Sequence, residues 1–414
     1  MRGGTVTVVG GSIAGCAFAS AAARAGADAV TVLERSEGRL ADRGLGLCVH
    51  DDRAAELTAA GTLPPGIAAH RLARRRWVVR DPAGPAGRVF WDQPFPFHSY
   101  HWGLLWQGMR EATPASVDYR HGVTVTGVAA ADGGDRAEVH LADGGVEAGD
   151  LVVGADGYRS VVRRAVSPDS RPDYAGYICW RGNFDARRLA AVGEEHWPSE
   201  AVTTVCFEGG SCVVYRIPGP DGLRVNWVLY AVPPPAAGLR LDDPTSFPPG
   251  RVTAELAVGL TALLDHAFPP YWARVLALTD PEDTFVQPIY DLETAPITAG
   301  RLLLAGDAAT VVRPHNTSGA AKALQDATAF EAAWRSAATW DEVLHGYRSA
   351  RGAAGRELVA LARRLGRAQV ERTPPWSTMR PGDAHAWWQD QLGGAPGIGG
   401  QAMCPATAAQ DPRH

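Results

Sequence analysis

Residues 301–327 read RLLLAGDAATVVRPHNTSGAAKALQDA, and the reading of this stretch decides the fold. Arg301–Ala305 is a short apolar run between Gly300 and Gly306, the pattern of a strand buried on both faces. Asp307 follows at the carboxyl end of that strand, where open α/β sheets present their ligands. A polar loop containing Pro314 then leads to Gly319-Ala320-Ala321, which opens an alanine-rich helix. A carboxylate accepts hydroxyl groups, and the free amides of a helix start favour negative charge. A ligand that carries both polyol hydroxyls and negative charge meets both demands, and a flavin dinucleotide is such a ligand.

The N-terminus supplies the other half of a dinucleotide site. Thr5–Val9 is a β-branched strand, Ile13–Ala25 an alanine-rich helix and Ala29–Leu33 a second strand ending at Glu34. The turn between strand and helix is Gly10-Gly11-Ser12-Ile13-Ala14-Gly15. In the G-x-G-x-x-G pattern the first glycine makes the turn, the second admits the pyrophosphate and the third lets helix pack on strand. Ser12 replaces the second glycine with a small residue whose hydroxyl reaches phosphate. Glu34, some twenty residues on and followed by Arg35, is placed to accept the adenosine ribose hydroxyls. Thr5–Ala23 is therefore read as strand and helix rather than as a secretory leader.

A third segment, Asp150–Arg163, reads DLVVGADGYRSVVR. A buried strand delivers Asp156-Gly157 to its carboxyl end, and Ser160 is a candidate cap for the helix after it. In order and spacing these three segments resemble the single-component FAD-dependent aromatic hydroxylases of the para-hydroxybenzoate hydroxylase type, over about Thr5–Val370. The resemblance implies a Rossmann-type FAD-binding α/β domain interrupted by an antiparallel β-sheet substrate domain. It implies that Asp156 touches flavin and reduced nicotinamide, and that Asp307 binds ribityl hydroxyls. Pro314 and the amides near Gly319–Ala321 would face the isoalloxazine, and Arg43 would sit on a flexible loop beside the ring. NADH or NADPH would dock transiently without a Rossmann domain of its own.

Several letters depart from the commonest pattern. Thr310 stands where most relatives carry His, and Trp102 lies at or beside a usual Arg. The loop 314–319 lacks the common second glycine. With Tyr177–Gly182 (YICWRG) and Val225–Tyr230 (VNWVLY), these features look most like the dihydroxypyridine hydroxylase branch. The chemistry so implied is use of NAD(P)H and O2, through a flavin C4a-hydroperoxide, to hydroxylate an electron-rich phenol or hydroxylated N-heterocycle. His315 is the candidate for proton transfer or substrate anchoring, because an unperturbed imidazole titrates near neutrality. Tyr215 is the candidate for a hydrogen bond to substrate, and Cys48, Trp180, Arg181, Asn226 and Tyr230 are expected to line the pocket. Epoxidation, ring insertion, oxidase turnover or flavin binding without turnover are the alternatives.

The rest of the chain sets bounds. The 414 residues suggest roughly two to three domains. The expected division is 1–73, 98–175 and 286–372 for FAD, and 74–97 with 176–285 for substrate, followed by a tail over 373–414. That tail, rich in Pro, Gly and Ala, is expected to be irregular, and Pro233–Pro249 reads as a proline-rich excursion. A net charge of −5 provides no basic footprint for nucleic acid. No metal-ligand spacing links the six cysteines, which suit a reducing cytoplasm, and no membrane partner is expected. A small aromatic substrate is the expected partner, with the protein a monomer or homodimer. Lys322 is the only lysine in the chain.

Overall fold

Parallel pairing of short β-branched and leucine-rich strands builds the first layer of the computed structural model, which describes residues 3–38, 40, 45–131, 134–234, 240–241 and 251–393. Thr5–Val9 lies between Ala29–Glu34 and Leu151–Gly154, and Leu302–Leu304 pairs with the latter. Val117–His121 and the short strand Thr298–Ala299 close the two edges of this six-stranded sheet. Four consecutive parallel strands thus deliver Gly10, Glu34, Asp156 and Asp307 to one edge. The helices Ile13–Ala25 and Gly319–Ser336 pack on one another beside the sheet, with Phe18 stacked on Phe330 at 5.1 Å.

A second sheet of nine strands among the described residues runs, in order, through 310–311, 285–293, 173–185, 222–231, 210–219, 201–207, 70–81, 84–101 and 46–50. Its pairings are antiparallel except that Ala201–Phe207 runs parallel to His70–Asp81. Side chains alternate between its faces. Trp180, Phe184, Val205, Val214, Trp227 and Leu229 point to the back, where the helices Ala254–Ala267 and Pro270–Leu276 cover them. Tyr177, Arg181, Asn226, Tyr230, Tyr215 and Thr204 alternate with these and share the front face, as the register between strands requires. A smaller three-stranded sheet spans residues 125–149.

Two expectations need correction. Trp180 is not a pocket residue, because it is adjacent in a strand to Arg181 and the two must face opposite ways; it is buried in the back core. Over residues 375–393 the tail is not irregular: Trp376–Thr378 forms a turn and Pro381–Leu392 a helix. Their apolar residues Trp376, Met379, Trp388 and Leu392 pack with Trp77, Trp91 and Phe90 of the sheet. Trp77 lies 5.6 Å from both Trp91 and Trp388, stacked on the first and edge-on to the second. Aromatic burial of this kind outweighs weak helix patterning. Residues 394–414 and most of the Pro233–Pro249 excursion lie outside the described residues. Trp388→Ala is expected to cost about 3–5 kcal/mol of stability. Urea unfolding checks this, and a loss below about 1 kcal/mol would show the helix to be a decoration.

Candidate functional site

The turn after the first strand has the backbone geometry a pyrophosphate needs. Gly10 has φ +97°, and a Cβ there would lie 2.5 Å from the carbonyl oxygen of Ala155. A Cβ on Gly15 would lie 1.9 Å from the carbonyl oxygen of Gly10. Both positions therefore demand glycine. Ser12 occupies the cap position of the helix but makes no capping bond, so the helix does not claim its hydroxyl. Ile13 and Ala14 begin the helix and are buried. Glu34 accepts from the amides of Gly11 (2.7 Å) and Ser36 (2.8 Å), one on each oxygen, which leaves a second lone pair on each for hydroxyls. Arg35 beside it is exposed, and Arg43 lies outside the described residues.

Asp156 is held differently from the sequence expectation. Its carboxylate accepts from Ser160 Oγ at 2.6 Å and from the amides of Val161 (2.6 Å) and Val162 (3.3 Å). Both oxygens are thus engaged by the start of the helix Val161–Val166, and burial pushes the carboxyl above its usual range against those bonds. Ser160 in turn accepts from the Arg163 amide at 2.8 Å. Arg163 then donates through Nη1 to the carbonyl of Ala308 at 3.2 Å, which ties this segment to the turn that carries Asp307. Gly157, at φ +74° with open space where a Cβ would stand, is the unencumbered part of the motif.

Asp307 lies in the turn Gly306–Ala308. Burial by its surroundings raises its carboxyl above the usual range, although the side chain remains open to solvent, as at the floor of a cleft. Behind it sits a buried ionic cluster. Lys322 Nζ meets Asp326 Oδ2 at 2.8 Å and the Gly306 carbonyl at 2.9 Å. Asp326 also accepts from the Gly306 amide at 3.0 Å and from Arg351 Nε at 2.7 Å. Lys322 and Asp326 are each only 2 % exposed. Burial alone would raise the Asp326 carboxyl, and Lys322 and Arg351 overcome it to hold the group below its usual range. Sequence reading missed this role for Lys322, Asp326 and Arg351; the i, i+4 spacing of the first two was its available trace. The helix Gly319–Ser336 begins beside the turn, and its first residues Gly319 and Ala320 are partly open while Ala321 is buried. Close-approach glycines, carboxylates with accepting capacity and a free helix start suit FAD.

The loop between Asp307 and that helix lies directly on the front face of the nine-stranded sheet. His315, in the turn Pro314–Asn316, hydrogen-bonds through Nε2 with the Tyr177 hydroxyl at 2.8 Å. Its ring lies 4.2 Å from that of Tyr230. The expectation of an imidazole titrating near neutrality is overturned. His315 is only 8 % exposed, and burial, then Arg313 and Arg75, push its pKa down to about 3. Tyr215 and Cys48 are neighbours; burial raises the phenol strongly and pushes the thiol up to about 12, so both are neutral. Asn226, 1 % exposed, spends Oδ1 on the Gly46 amide at 2.9 Å, while its Nδ2 has no partner. Arg181 Nε is likewise buried without one. Arg75 and Tyr177 belong to this face and were missed, since only the strand register reveals which residues face inward.

Known proteins offer a comparison. A model of the "FAD binding domain-like" family matches residues 174–291, and one of the "FAD binding domain" family matches residues 273–362. The chain is 28% identical over 337 residues to 2,6-dihydroxypyridine 3-monooxygenase of Paenarthrobacter nicotinovorans, covering 78% of this chain and 80% of that one. It is 27% identical over 341 residues to a 3-amino-4-hydroxybenzoate 2-monooxygenase of Streptomyces platensis, covering 78% and 77%. The solved structure of 2,6-dihydroxypyridine-3-hydroxylase from Arthrobacter nicotinovorans superposes with a TM-score of 0.77 at 23% identity, over 92% of this chain and 95% of that one. The fold is the one expected, and FAD is the cofactor. Among the described residues no helix is long and apolar enough to cross a membrane.

Asp307→Ala is expected to purify largely free of FAD, and Lys322→Met to lower FAD affinity at least about tenfold, or about 1.4 kcal/mol; both are read from bound-flavin absorbance, and normal retention would remove these groups from the site. A histidine whose folded-state pKa is about 3 against an ordinary 6.5 stays neutral in the fold while the unfolded chain takes up a proton. Its contribution therefore lowers stability as pH falls from about 6.5 towards about 3. His315→Gln is expected to flatten that part of a plot of melting temperature against pH.

Proposed function

We propose that this chain, an FAD-dependent aromatic hydroxylase of the para-hydroxybenzoate hydroxylase type, uses NAD(P)H and O2 to hydroxylate an electron-rich phenol or hydroxylated N-heterocycle. One observation carries the reading: the loop that follows Asp307 packs through His315 onto Tyr177 and Tyr230, so the cofactor edge and the polar sheet face share a wall. A ring held on that face would lie beside a flavin held by the cofactor edge. The bound flavin supplies electron transfer and oxygen activation; the protein must hold the ring, exclude water and manage its hydroxyl proton.

Arg181, Asn226, Tyr215 and Tyr230 provide donors on the front face, and Cys48 lines it. Tyr215 is a neutral phenol whose hydroxyl both donates and accepts. His315 acts as a neutral imidazole, taking a proton at one nitrogen as it gives one up at the other, with the Tyr177 hydroxyl as its neighbour. That role needs no protonated imidazole in the resting state and matches a pKa of about 3. The amides of Gly319 and Ala320 would favour negative charge on a bound flavin by about 0.3–1 kcal/mol.

A screen of phenols and hydroxypyridines for stimulated NAD(P)H oxidation under labelled oxygen tests the reading. Label is expected in a hydroxylated product; oxidation without incorporation would mark an oxidase, and no stimulation by any ligand would end the proposal. His315→Ala is expected to retain FAD but to lose coupling of NAD(P)H use to product, at least severalfold; unchanged coupling would remove His315 from the mechanism.

A further inference from the structure

Two side chains that belong to none of the cofactor motifs hold the carbonyl of Gly11. Trp106 Nε1 donates to it at 2.9 Å and the Tyr119 hydroxyl at 2.6 Å. A carbonyl oxygen has two lone pairs, and these donors suffice to fill both. Trp106 is buried on the helix Trp102–Glu111, which continues directly from strand 84–101 of the nine-stranded sheet. Tyr119 lies on the edge strand Val117–His121, where its register with Val32 puts its side chain on the same face as Glu34. The guanidinium of Arg110 stacks 4.1 Å over the Tyr119 ring. Contact is close enough that a Cβ on Gly11 would stand 1.9 Å from the Tyr119 oxygen. Burial, then Cys16 and Glu34, push the phenol above its ordinary range, so the hydroxyl keeps the proton it donates.

A trans peptide is planar, and its C=O and N–H point in opposite directions. The carbonyl of Gly11 and the amide of Ser12 are the two ends of one such peptide. Drawing the oxygen towards Trp106 and Tyr119 therefore aims the Ser12 amide the other way. Among the described residues no hydrogen bond claims that amide, and Ser12 makes no capping bond. The preceding peptide is fixed as well, since the Gly11 amide donates to Glu34 at 2.7 Å. Both peptides that flank Gly11 are thus set by partners outside the turn. A turn so rich in glycine has a permissive backbone, and the free amides at a helix start suit a phosphate. Fixing such a turn before the ligand arrives removes an ordering cost from binding.

We propose that Tyr119 and Trp106 are positioning residues for the ADP half of FAD, which hold the Gly11 carbonyl and so aim the Ser12 amide at the diphosphate. The inference rests on the N-terminal turn as the place of that half, and not on the reaction the flavin supports. Neither side chain touches the ligand; each acts through one backbone oxygen. They stand 95 and 108 positions along the chain from Gly11, so no motif around the turn contains them.

Tyr119→Phe removes one donor and keeps the ring on which Arg110 stacks, and Trp106→Phe removes the other. Each holoenzyme is brought to equilibrium by dialysis and its bound FAD measured, alone and with ADP or riboflavin as competitor. Each variant is expected to weaken FAD about three- to tenfold, the effect of one hydrogen bond, and the double variant to weaken it further. The inhibition constant of ADP is expected to rise by the same factor, and that of riboflavin, which has no phosphate, to stay as in the parent protein. Unchanged FAD affinity in both single variants would overturn the proposal. So would weakened FAD with unchanged ADP, or a loss shared equally by riboflavin, which marks a general loosening. Should Trp106→Phe fail to fold, Tyr119→Phe decides it. Failure of ADP to displace FAD from the parent protein is a separate outcome, which would remove the ADP half from this turn and the proposal with it.

Discussion

A single buried carboxylate holds the cofactor edge in shape. Asp326 accepts from Lys322, Arg351 and the Gly306 amide, while Lys322 returns to the Gly306 carbonyl. Both polar backbone groups of Gly306 are thereby fixed, and the next residue is Asp307. The arrangement joins the strand Leu302–Leu304 to two helices, Gly319–Ser336 and Trp340–Gly366, at the point where the ligand must be met. Lys322 and Arg351 act on Asp326, while Lys322 and Arg163 act on the exposed Asp307. Such a network contributes little net stability compared with apolar packing, but it specifies one geometry, since leaving any member unpaired is costly.

From that fixed point the remaining parts follow by contact. Arg163 binds the carbonyl of Ala308 and brings in the Asp156 segment. A Cβ on Gly306 would come within 2.9 Å of the Ala14 side chain, which sets how closely the first helix approaches. The loop after Asp307 carries His315 against Tyr177 and Tyr230, and so joins the parallel sheet to the nine-stranded one. Positioning is inherited along this chain of contacts, from a buried ion pair to the front face of the nine-stranded sheet.

Most of the fold was legible because its signals are local. Strand, glycine turn and helix around Gly10–Gly15 are encoded within a few residues, and so is the strand–Asp–loop–helix unit around Asp307. The strand-rich run from Tyr177 to Tyr230 was also plain. Its faces were not, since Trp180 and Arg181 look equally suited to a pocket until the register with Leu229 and Val228 assigns one to each side. The helix Pro381–Leu392 was hidden by its Pro- and Gly-rich surroundings, and its order comes from Trp388 packing on Trp77, more than three hundred residues earlier in the chain.

By itself the sequence determined the cofactor and the architecture. Both follow from short-range demands of phosphate, ribose and ribityl groups on glycines, carboxylates and helix starts. Tertiary structure alone decided the electrostatics of the front face of the nine-stranded sheet. Burial takes His315 from a neutral-pH titrator to a group with a pKa of about 3. Strand pairing sets Arg75 beside Thr204, 129 positions away, and buries it there. Desolvation and charge pairing depend on everything within a few ångströms in space, and no window of sequence contains that information.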